Sequence, residues 1–200
     1  MLNWQKIIKE EMEKCEITIF PTQDGKGTYP YIIIPFDGRI TPRFMKAVME
    51  GMNLMLKDEL KKATTILLPE AKGFFLTPLI ETAGLDLVLL RKRNFNKPNQ
   101  IVIEQTKAYK MGENVMYCVG LKKGDVPLIV DDIISSGGTQ ISIITALKKH
   151  GFDIAGIASV FDRGNGVSMI KKITGYDTKV LARLEIINNK PVVTKIFGVE

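Results

Sequence analysis

Short apolar runs alternate with amphipathic segments along most of this 200-residue chain. Apolar runs of four to eight residues between turn residues are typical of buried strands, whereas apolar residues three and four apart indicate helices. Strands that alternate with helices favour an α/β fold with a mostly parallel five-stranded sheet flanked by helices. The predicted strands are Thr64–Leu68, Leu87–Leu90, Leu128–Asp131, Ile154–Phe161 and Val180–Ile186, and the predicted helices cover 3–15, the segment from Thr41-Pro42 onward, 140–149 and 167–172.

Two segments depart from this alternation. Residues 16–40 are rich in turn residues, which predicts a small N-terminal hood after the first helix (1–40), with the core over 41–200. The stretch 94–126 is long and polar, with a possible hairpin between Ile101–Glu104 and Val115–Val119. A second hairpin is predicted where Asn188-Asn189 turns the last core strand back into Val192–Phe197.

The segment PLIVDDIISSGGT, residues 127–139, carries the clearest chemistry. A buried apolar run ends in Asp131 and Asp132, and a loop of small residues then opens into a helix. Free backbone N–H groups and the helix dipole favour a phosphate at such a helix start. Two carboxylates suit hydroxyls, a metal-bound sugar or a developing positive charge. The segment therefore predicts a sugar-phosphate site, with its anion cradle formed by Ser135, Ser136, Gly137, Gly138 and Thr139.

Polar residues also follow two other predicted strands. Glu70-Ala71-Lys72-Gly73 follows the first, and Arg91-Lys92-Arg93 follows the second. The carboxyl ends of parallel strands lie at one edge of a sheet, so these residues should converge on the diacid. Arg and Lys side chains there would meet a second anionic group, such as a diphosphate.

The amino-acid composition argues against nucleic-acid-binding, membrane-spanning and disulfide-rich proteins. The net charge is +6, but the basic residues are spread out and lack interleaved aromatics, so we expect no nucleic-acid partner. No apolar run approaches the ~20 residues of a membrane span, and no secretory leader is visible. The two cysteines are isolated, which predicts neither a disulfide framework nor a cysteine metal site. A cytoplasmic protein is the simplest expectation.

The diacid and its Ser-Ser-Gly-Gly-Thr loop resemble the phosphoribosyl diphosphate (PRPP) signature of the type I phosphoribosyltransferases. The segments PEAKG, LLRKRNF, VFDRGNG and KKITGYDTKVLARLEI are similar to further parts of the archaeal purine phosphoribosyltransferases, in the same order. The resemblance implies the type I phosphoribosyltransferase fold and transfer of phosphoribosyl from PRPP to a purine, giving a nucleoside monophosphate and diphosphate. It also implies a homodimer and Mg²⁺, held mainly by the substrate with possible help from Asp131 and Asp132.

Residue roles follow from the same resemblance. Asp131 and Asp132 would receive the ribose hydroxyls, with Asp132 assisting deprotonation of the base. The cradle would bind the 5-phosphate. A mobile loop over about 94–116 would close as a lid, and Glu104 at its start is a catalytic candidate although its surroundings match neither well-known purine subgroup. The diphosphate would meet Ala71, Lys72, Gly73, Lys92 and Arg91, the last also counted as catalytic.

The purine itself is the least determined feature. Phe161 is the predicted stacking ring, with Val160 and Asp162 beside it. Asp162 is a hydrogen-bond acceptor, which favours the 6-amino group of adenine over hypoxanthine or guanine. Two alternatives are less favoured: a PRPP-binding regulator, for which a helix-turn-helix outside the core is missing, and an orotate phosphoribosyltransferase.

Overall fold

The computed structural model describes residues 1–22, 25–104 and 115–199. Two short 3₁₀ turns, Pro35–Asp37 and Lys72–Leu76, accompany the regular elements. The helices are α1 (Asn3–Glu13), α2 (Pro42–Met55), α3 (Lys57–Lys62), α4 (Leu79–Ala83), α5 (Gly138–Lys149) and α6 (Gly166–Thr174). The strands are β1 (Ile17–Pro21), β2 (Thr28–Ile32), β3 (Thr65–Pro69), β4 (Asp86–Arg91), β5 (Ile101–Glu104), β6 (Val115–Cys118), β7 (Pro127–Ile134), β8 (Gly156–Asp162), β9 (Thr178–Ile187) and β10 (Lys190–Ile196).

The main sheet has the strand order β10-β9-β8-β7-β3-β4-β6-β5 within the described ranges. The five strands from β9 to β4 are parallel to one another, as predicted. The expected total of five strands is wrong, because β10, β6 and β5 extend the sheet in antiparallel fashion to eight. Asn188 and Asn189 both adopt positive φ, 50° and 58°, in the hairpin between β9 and β10. Two such residues suit the tight turn that a two-residue hairpin needs.

Both faces of the parallel strands are covered, which explains their continuous apolar sequences. On one face, Leu68, Leu128 and Val160 belong to a core that includes Trp4 and Phe44 of α1 and α2. On the other face, Leu67 and Ile129 pack with residues of α5. The sheet edge at the strand carboxyl ends is therefore held by core packing on both sides.

The first 40 residues divide into two structural parts. Helix α1 packs against α2 and β10, and its Trp4 side chain is buried. A Cβ on Gly51 would lie 2.8 Å from the Trp4 ring, so this contact requires a glycine in α2. Strands β1 and β2 form a separate antiparallel sheet, which we call the hood together with the Pro35–Asp37 turn. The hood contacts the loop after β3, at the carboxyl end of that strand, through hydrogen bonds between Lys72 and the Tyr31 and Asp37 side chains.

Candidate active site

The loop between β7 and α5 forms the predicted anion cradle. Gly137 has a φ of 79° and precedes the first residue of α5, while Ser135 and Ser136 are exposed. A Cβ on Gly137 would lie 2.7 Å from the carbonyl oxygen of Gly166, the first residue of α6. The cradle is thus pressed against the start of a second helix. Its N–H groups at the start of α5 suit an oxyanion, and binding of the 5-phosphate there remains a prediction.

The two acids of β7 are buried rather than solvated. Asp131 is 7% exposed and Asp132 is 5% exposed. The Asp131 carboxylate accepts hydrogen bonds from the Asp132 backbone N–H (2.9 Å) and from Gln140 Nε2 (2.7 Å). Asp132 Oδ2 has no hydrogen-bond partner among the described residues. A buried oxygen that lacks a partner is suited to a ligand hydroxyl or a cation.

Burial raises the pKa of Asp131, and the negative charge of Asp132 raises it further. Burial also raises the pKa of Asp132, although Asp131 and the nearby Lys72 ammonium oppose this effect. Two carboxylates this close cannot both ionise without cost in a site of low polarity. The pair is therefore poised to take up positive charge, from a proton, a metal ion or a cationic sugar centre.

A cavity of about 290 Å³ opens beside the diacid. It brings together residues from all three predicted strand ends, although Ser135, Ser136, Gly137 and Gly138 of the cradle do not line it. The loop after β3 and the bend after β4 supply its cationic residues, Lys72 and Lys92. Its lining includes Glu70, Ala71, Lys72, Lys92, Asp131, Asp132 and Thr139.

Arg91 does not line this cavity, contrary to the prediction. Its Nε donates to Glu70 (3.0 Å), and its guanidinium lies 5.3 Å from the centre of the Phe74 ring. Arg91 is the last residue of β4, whereas Lys92 lies in the bend that follows, where its backbone N–H also donates to Glu70 (3.0 Å) and the residue lines the cavity. Gly73 is buried and packs against Pro69 rather than lining the cavity.

Glu104 lies outside this cavity as well. It is the last residue of β5, is exposed, and lines a different hollow beside α5. Of the predicted lid over 94–116, residues 105–114 lie outside the described ranges. Within the described remainder, 101–104 and 115–116 belong to the hairpin strands β5 and β6, as the sequence indicated.

The predicted base-stacking residue is wrong. Phe161 is fully buried, and its ring packs against Phe44 and Phe36 at centroid distances of 6.5 and 6.2 Å. Val160 is likewise fully buried, so neither side chain can touch a bound base. Asp162 is 3% exposed and forms an ion pair with Arg183 of β9. Its carboxylate is therefore engaged within the protein, with one oxygen, Oδ1, lacking a partner among the described residues.

A polar cluster joins the hood to the cavity, and little in the sequence points to it. Lys72 donates to Asp37 and, at 3.1 Å, to the Tyr31 hydroxyl. The Arg163 guanidinium lies 4.4 Å from the centre of the Tyr31 ring, and its NH1 nitrogen is buried without an acceptor in the described chain. No site role was predicted from the sequence for Tyr31, Asp37 or Arg163. The only signal was that Arg163 lies two residues after the predicted strand Ile154–Phe161, near a strand end where ligand contacts are expected.

Within the described residues, no group of three or more His, Cys, Asp or Glu side chains could hold a metal by itself. The unpartnered Asp132 oxygen fits a Mg²⁺ ion that takes most of its ligands from elsewhere, since Mg²⁺ binds through one or two carboxylates plus substrate oxygens. None of the described helices is long and apolar enough to cross a bilayer.

The parallel sheet, the cradle and the diacid cavity agree with a family-wide comparison. A model of the phosphoribosyl transferase domain matches residues 41–193, more than half of the chain. The chain therefore belongs to the phosphoribosyltransferase family and is an enzyme of the glycosyltransferase type, as the sequence indicated.

Individual relatives refine this placement. The chain is 32% identical to the hypoxanthine/guanine phosphoribosyltransferase of Methanococcus maripaludis strain C5 over 95% of this chain and 99% of that protein. The enzyme of the same name from Methanocaldococcus jannaschii is also 32% identical, over 94% and 99%. Among solved structures, the adenine phosphoribosyltransferase of Thermoanaerobacter pseudethanolicus has a TM-score of 0.69 at 22% identity, covering 90% of this chain and 99% of that one. That likeness shows the fold.

Proposed function

We propose that this chain transfers the phosphoribosyl group of PRPP to a purine base, with hypoxanthine and guanine as the preferred bases. The observation that carries the reaction is the cavity that a buried diacid lines together with Lys72, Lys92 and Thr139 of the first turn of α5. Anion sites on both sides of two acids match a sugar that carries a phosphate at one end and a diphosphate at the other.

Different residues of the cavity would have different roles in such a transfer. A ring nitrogen of the base forms a bond to C1 of the ribose, the C1–diphosphate bond breaks, and the nitrogen loses its proton. Lys72 and Lys92 would stabilise the negative charge on the leaving diphosphate. Asp131 and Asp132 would hold the ribose hydroxyls and stabilise positive charge on the ring, and Asp132 would accept the proton. Asp132 would help to hold a Mg²⁺ ion that takes its other ligands from the substrate, and such an ion would supply further positive charge to stabilise the leaving diphosphate.

Arg163 supports a 6-oxopurine. A guanidinium can only donate hydrogen bonds, and its paired donors match the O6 and N7 acceptors of guanine. Arg163 lines a hollow of about 390 Å³ between the hood and the cradle, together with Tyr29, Pro30 and Ser135. The Tyr31 ring supports the guanidinium, and its NH1 nitrogen still lacks an acceptor among the described residues. The names of the similar archaeal relatives point the same way.

Adenine remains the second candidate because of Asp162. Its unpartnered Oδ1 is an acceptor that a 6-amino group could satisfy. The ion pair with Arg183 weakens this argument, since the other carboxylate oxygen is already engaged. We therefore rank adenine below the 6-oxopurines, which reverses the preference drawn from the sequence.

Steady-state assays with PRPP, Mg²⁺ and one base at a time test the proposal. We expect nucleoside monophosphate and diphosphate in equal amounts, with the highest kcat/KM for hypoxanthine or guanine and low values for adenine, xanthine and orotate. Asp132→Asn serves as the chemistry control and should lower kcat at least 100-fold. Absence of product with every purine would refute the proposal, and a preference for adenine would refute its base assignment.

A further inference from the structure

Lys72, which lines the cavity together with the diacid, is already paired with a carboxylate of the hood. Its ammonium contacts Asp37, which ends the Pro35–Asp37 turn, and the Tyr31 hydroxyl of β2. The Lys72 side chain is 32% exposed and lines the cavity, whereas the Asp37 side chain is 14% exposed. The pair therefore links the predicted diphosphate loop to the hood, and a ligand can reach it from the cavity.

Asp37 is held in place without the help of Lys72. Its Oδ2 accepts from the Ile34 backbone N–H at 3.0 Å, and the Tyr31 hydroxyl lies 3.0 Å from both carboxylate oxygens. The Ile34 contact caps the turn, so the carboxylate belongs to the local fold of the hood. If Lys72 moves away, Asp37 keeps these donors and remains as a fixed negative charge beside the predicted diphosphate loop.

Lys72 is the mobile member of the pair. Its ammonium is the end of a four-carbon side chain with several rotatable bonds. Burial alone would lower its pKa, but the hydrogen bonds with Asp37 and Tyr31 raise the pKa above the usual value, so the group stays charged. A charged diphosphate that enters the cavity would meet a cation that already has an anionic partner.

We propose that Asp37 is an internal competitor of diphosphate for Lys72. In the empty site Asp37 pairs with the Lys72 ammonium. The pair separates when PRPP binds and forms again as the diphosphate product leaves. This inference rests on the proposed function, which assigns Lys72 to the diphosphate. Its consequence is that Asp37 weakens diphosphate binding and accelerates product release.

Calorimetric titration with Mg-diphosphate tests the competition directly. Asp37→Asn keeps an acceptor for the Ile34 N–H and removes the charge. We expect the Kd of this variant for diphosphate and its KM for PRPP to fall about three- to tenfold. The reason is that the variant lacks both a partly exposed ion pair that competes for Lys72 and a negative charge that repels the diphosphate. The dissociation rate of diphosphate should fall by a similar factor. The Kd for ribose 5-phosphate, which would use the cradle, should stay unchanged.

Three further variants make the result specific. Asp37→Ser, which also offers the Ile34 N–H an acceptor, should reproduce the effect. Asp177→Asn removes an exposed 2.7 Å pair with Lys171 on another surface and should change nothing. In a Lys72→Met background, Asp37→Asn should have at most a twofold effect.

An unchanged or weaker diphosphate affinity in Asp37→Asn, with wild-type binding intact, would overturn this inference alone. An equal gain with and without Lys72 would also overturn it, because Asp37 would then act only through general repulsion. Failure of the wild-type protein to bind either PRPP or diphosphate would instead refute the proposed function.

Discussion

Asp131 and Asp132, the proposed ribose-binding acids, carry a cost for folding. Both carboxyls are buried, and burial raises the pKa of each. A carboxyl whose pKa is raised in the folded state binds its proton more tightly there than in the unfolded chain. Its contribution to stability is thus largest below the unfolded pKa, near 3.9, and is lost as the pH rises through the folded pKa. At neutral pH the diacid therefore destabilises the fold.

Asp131→Asn should make the ligand-free protein more stable at pH 7, by about 1 kcal/mol in the free energy of unfolding. The new amide keeps an acceptor for the Asp132 N–H, and a rotated Gln140 amide can accept from its NH₂ group. Urea denaturation without Mg²⁺ at pH 7 and at pH 4 would measure the change, and the gain should shrink at the lower pH. If Asp131→Asn instead lowered the free energy of unfolding by the same amount at both pH values, the hydrogen bonds of Asp131 would outweigh the cost of its charge.

Arg163 provides the residue-scale test of base choice. Arg163→Met should lower kcat/KM for hypoxanthine and guanine 10- to 100-fold, the effect of losing one bidentate base contact. Activity with adenine should change less than threefold. Arg43→Met is the matched control, because Arg43 is an exposed arginine whose partners Glu10 and Glu11 lie on α1. An equal loss with every base would mean that Arg163 acts on PRPP or on the fold.

At the scale of elements, two neighbouring cations lie on either side of the end of β4. Lys92 lines the diacid cavity, whereas Arg91 pairs with Glu70 and lines a different hollow. Lys92→Met should therefore raise the KM for PRPP about tenfold, and Arg91→Met should raise it less than threefold. Initial-rate measurements over a range of PRPP concentrations would decide, and the reverse order would show that the two side chains exchange places when substrate binds.

The contact between the cradle and α6 leads to a second prediction at this scale. A Cβ on Gly166 would lie 2.5 Å from Ile134 Cγ2 and 2.7 Å from both the Gly137 nitrogen and the Ser135 oxygen. Gly166→Ala should therefore destabilise the protein by roughly 1–3 kcal/mol and weaken ribose 5-phosphate binding. Gly27→Ala, where the nearest atoms lie 3.6 Å away, is the control. Thermal melts and titration would measure both effects, and wild-type behaviour of Gly166→Ala would contradict the packing argument.

Features that lie in one segment or at parallel strand ends could be predicted from the sequence, whereas contacts between distant segments could not. The diacid and cradle lie in one continuous segment, and Lys72 and Lys92 follow parallel strands, so a topological rule is enough to bring them together. Phe161 was misassigned because β8 is buried on both faces. A continuous apolar run carries no alternation that tells which side a residue faces. The Asp37–Lys72 contact joins an irregular hood to a loop 35 residues away, and no sequence spacing encodes such a contact.

At the scale of the whole molecule, the architecture separates binding tasks among rigid parts. The parallel sheet, packed on both faces, fixes the cradle and diacid, while the hood carries Asp37 and Tyr31 to the same edge. Arg163 and Lys72 both contact Tyr31, so the proposed base and diphosphate sites share one hood residue. A small appendage thus completes a site that the sheet alone would leave open on one side.

The central claim is that this site joins PRPP to a 6-oxopurine, and a competition assay tests it most directly. The protein is incubated with PRPP, Mg²⁺ and equal concentrations of hypoxanthine, guanine and adenine, and the nucleoside monophosphates are quantified by mass spectrometry. Inosine and guanosine monophosphates should together exceed adenosine monophosphate at least tenfold, with one diphosphate released for each nucleotide. A predominance of adenosine monophosphate, or no PRPP-dependent nucleotide, would contradict the claim.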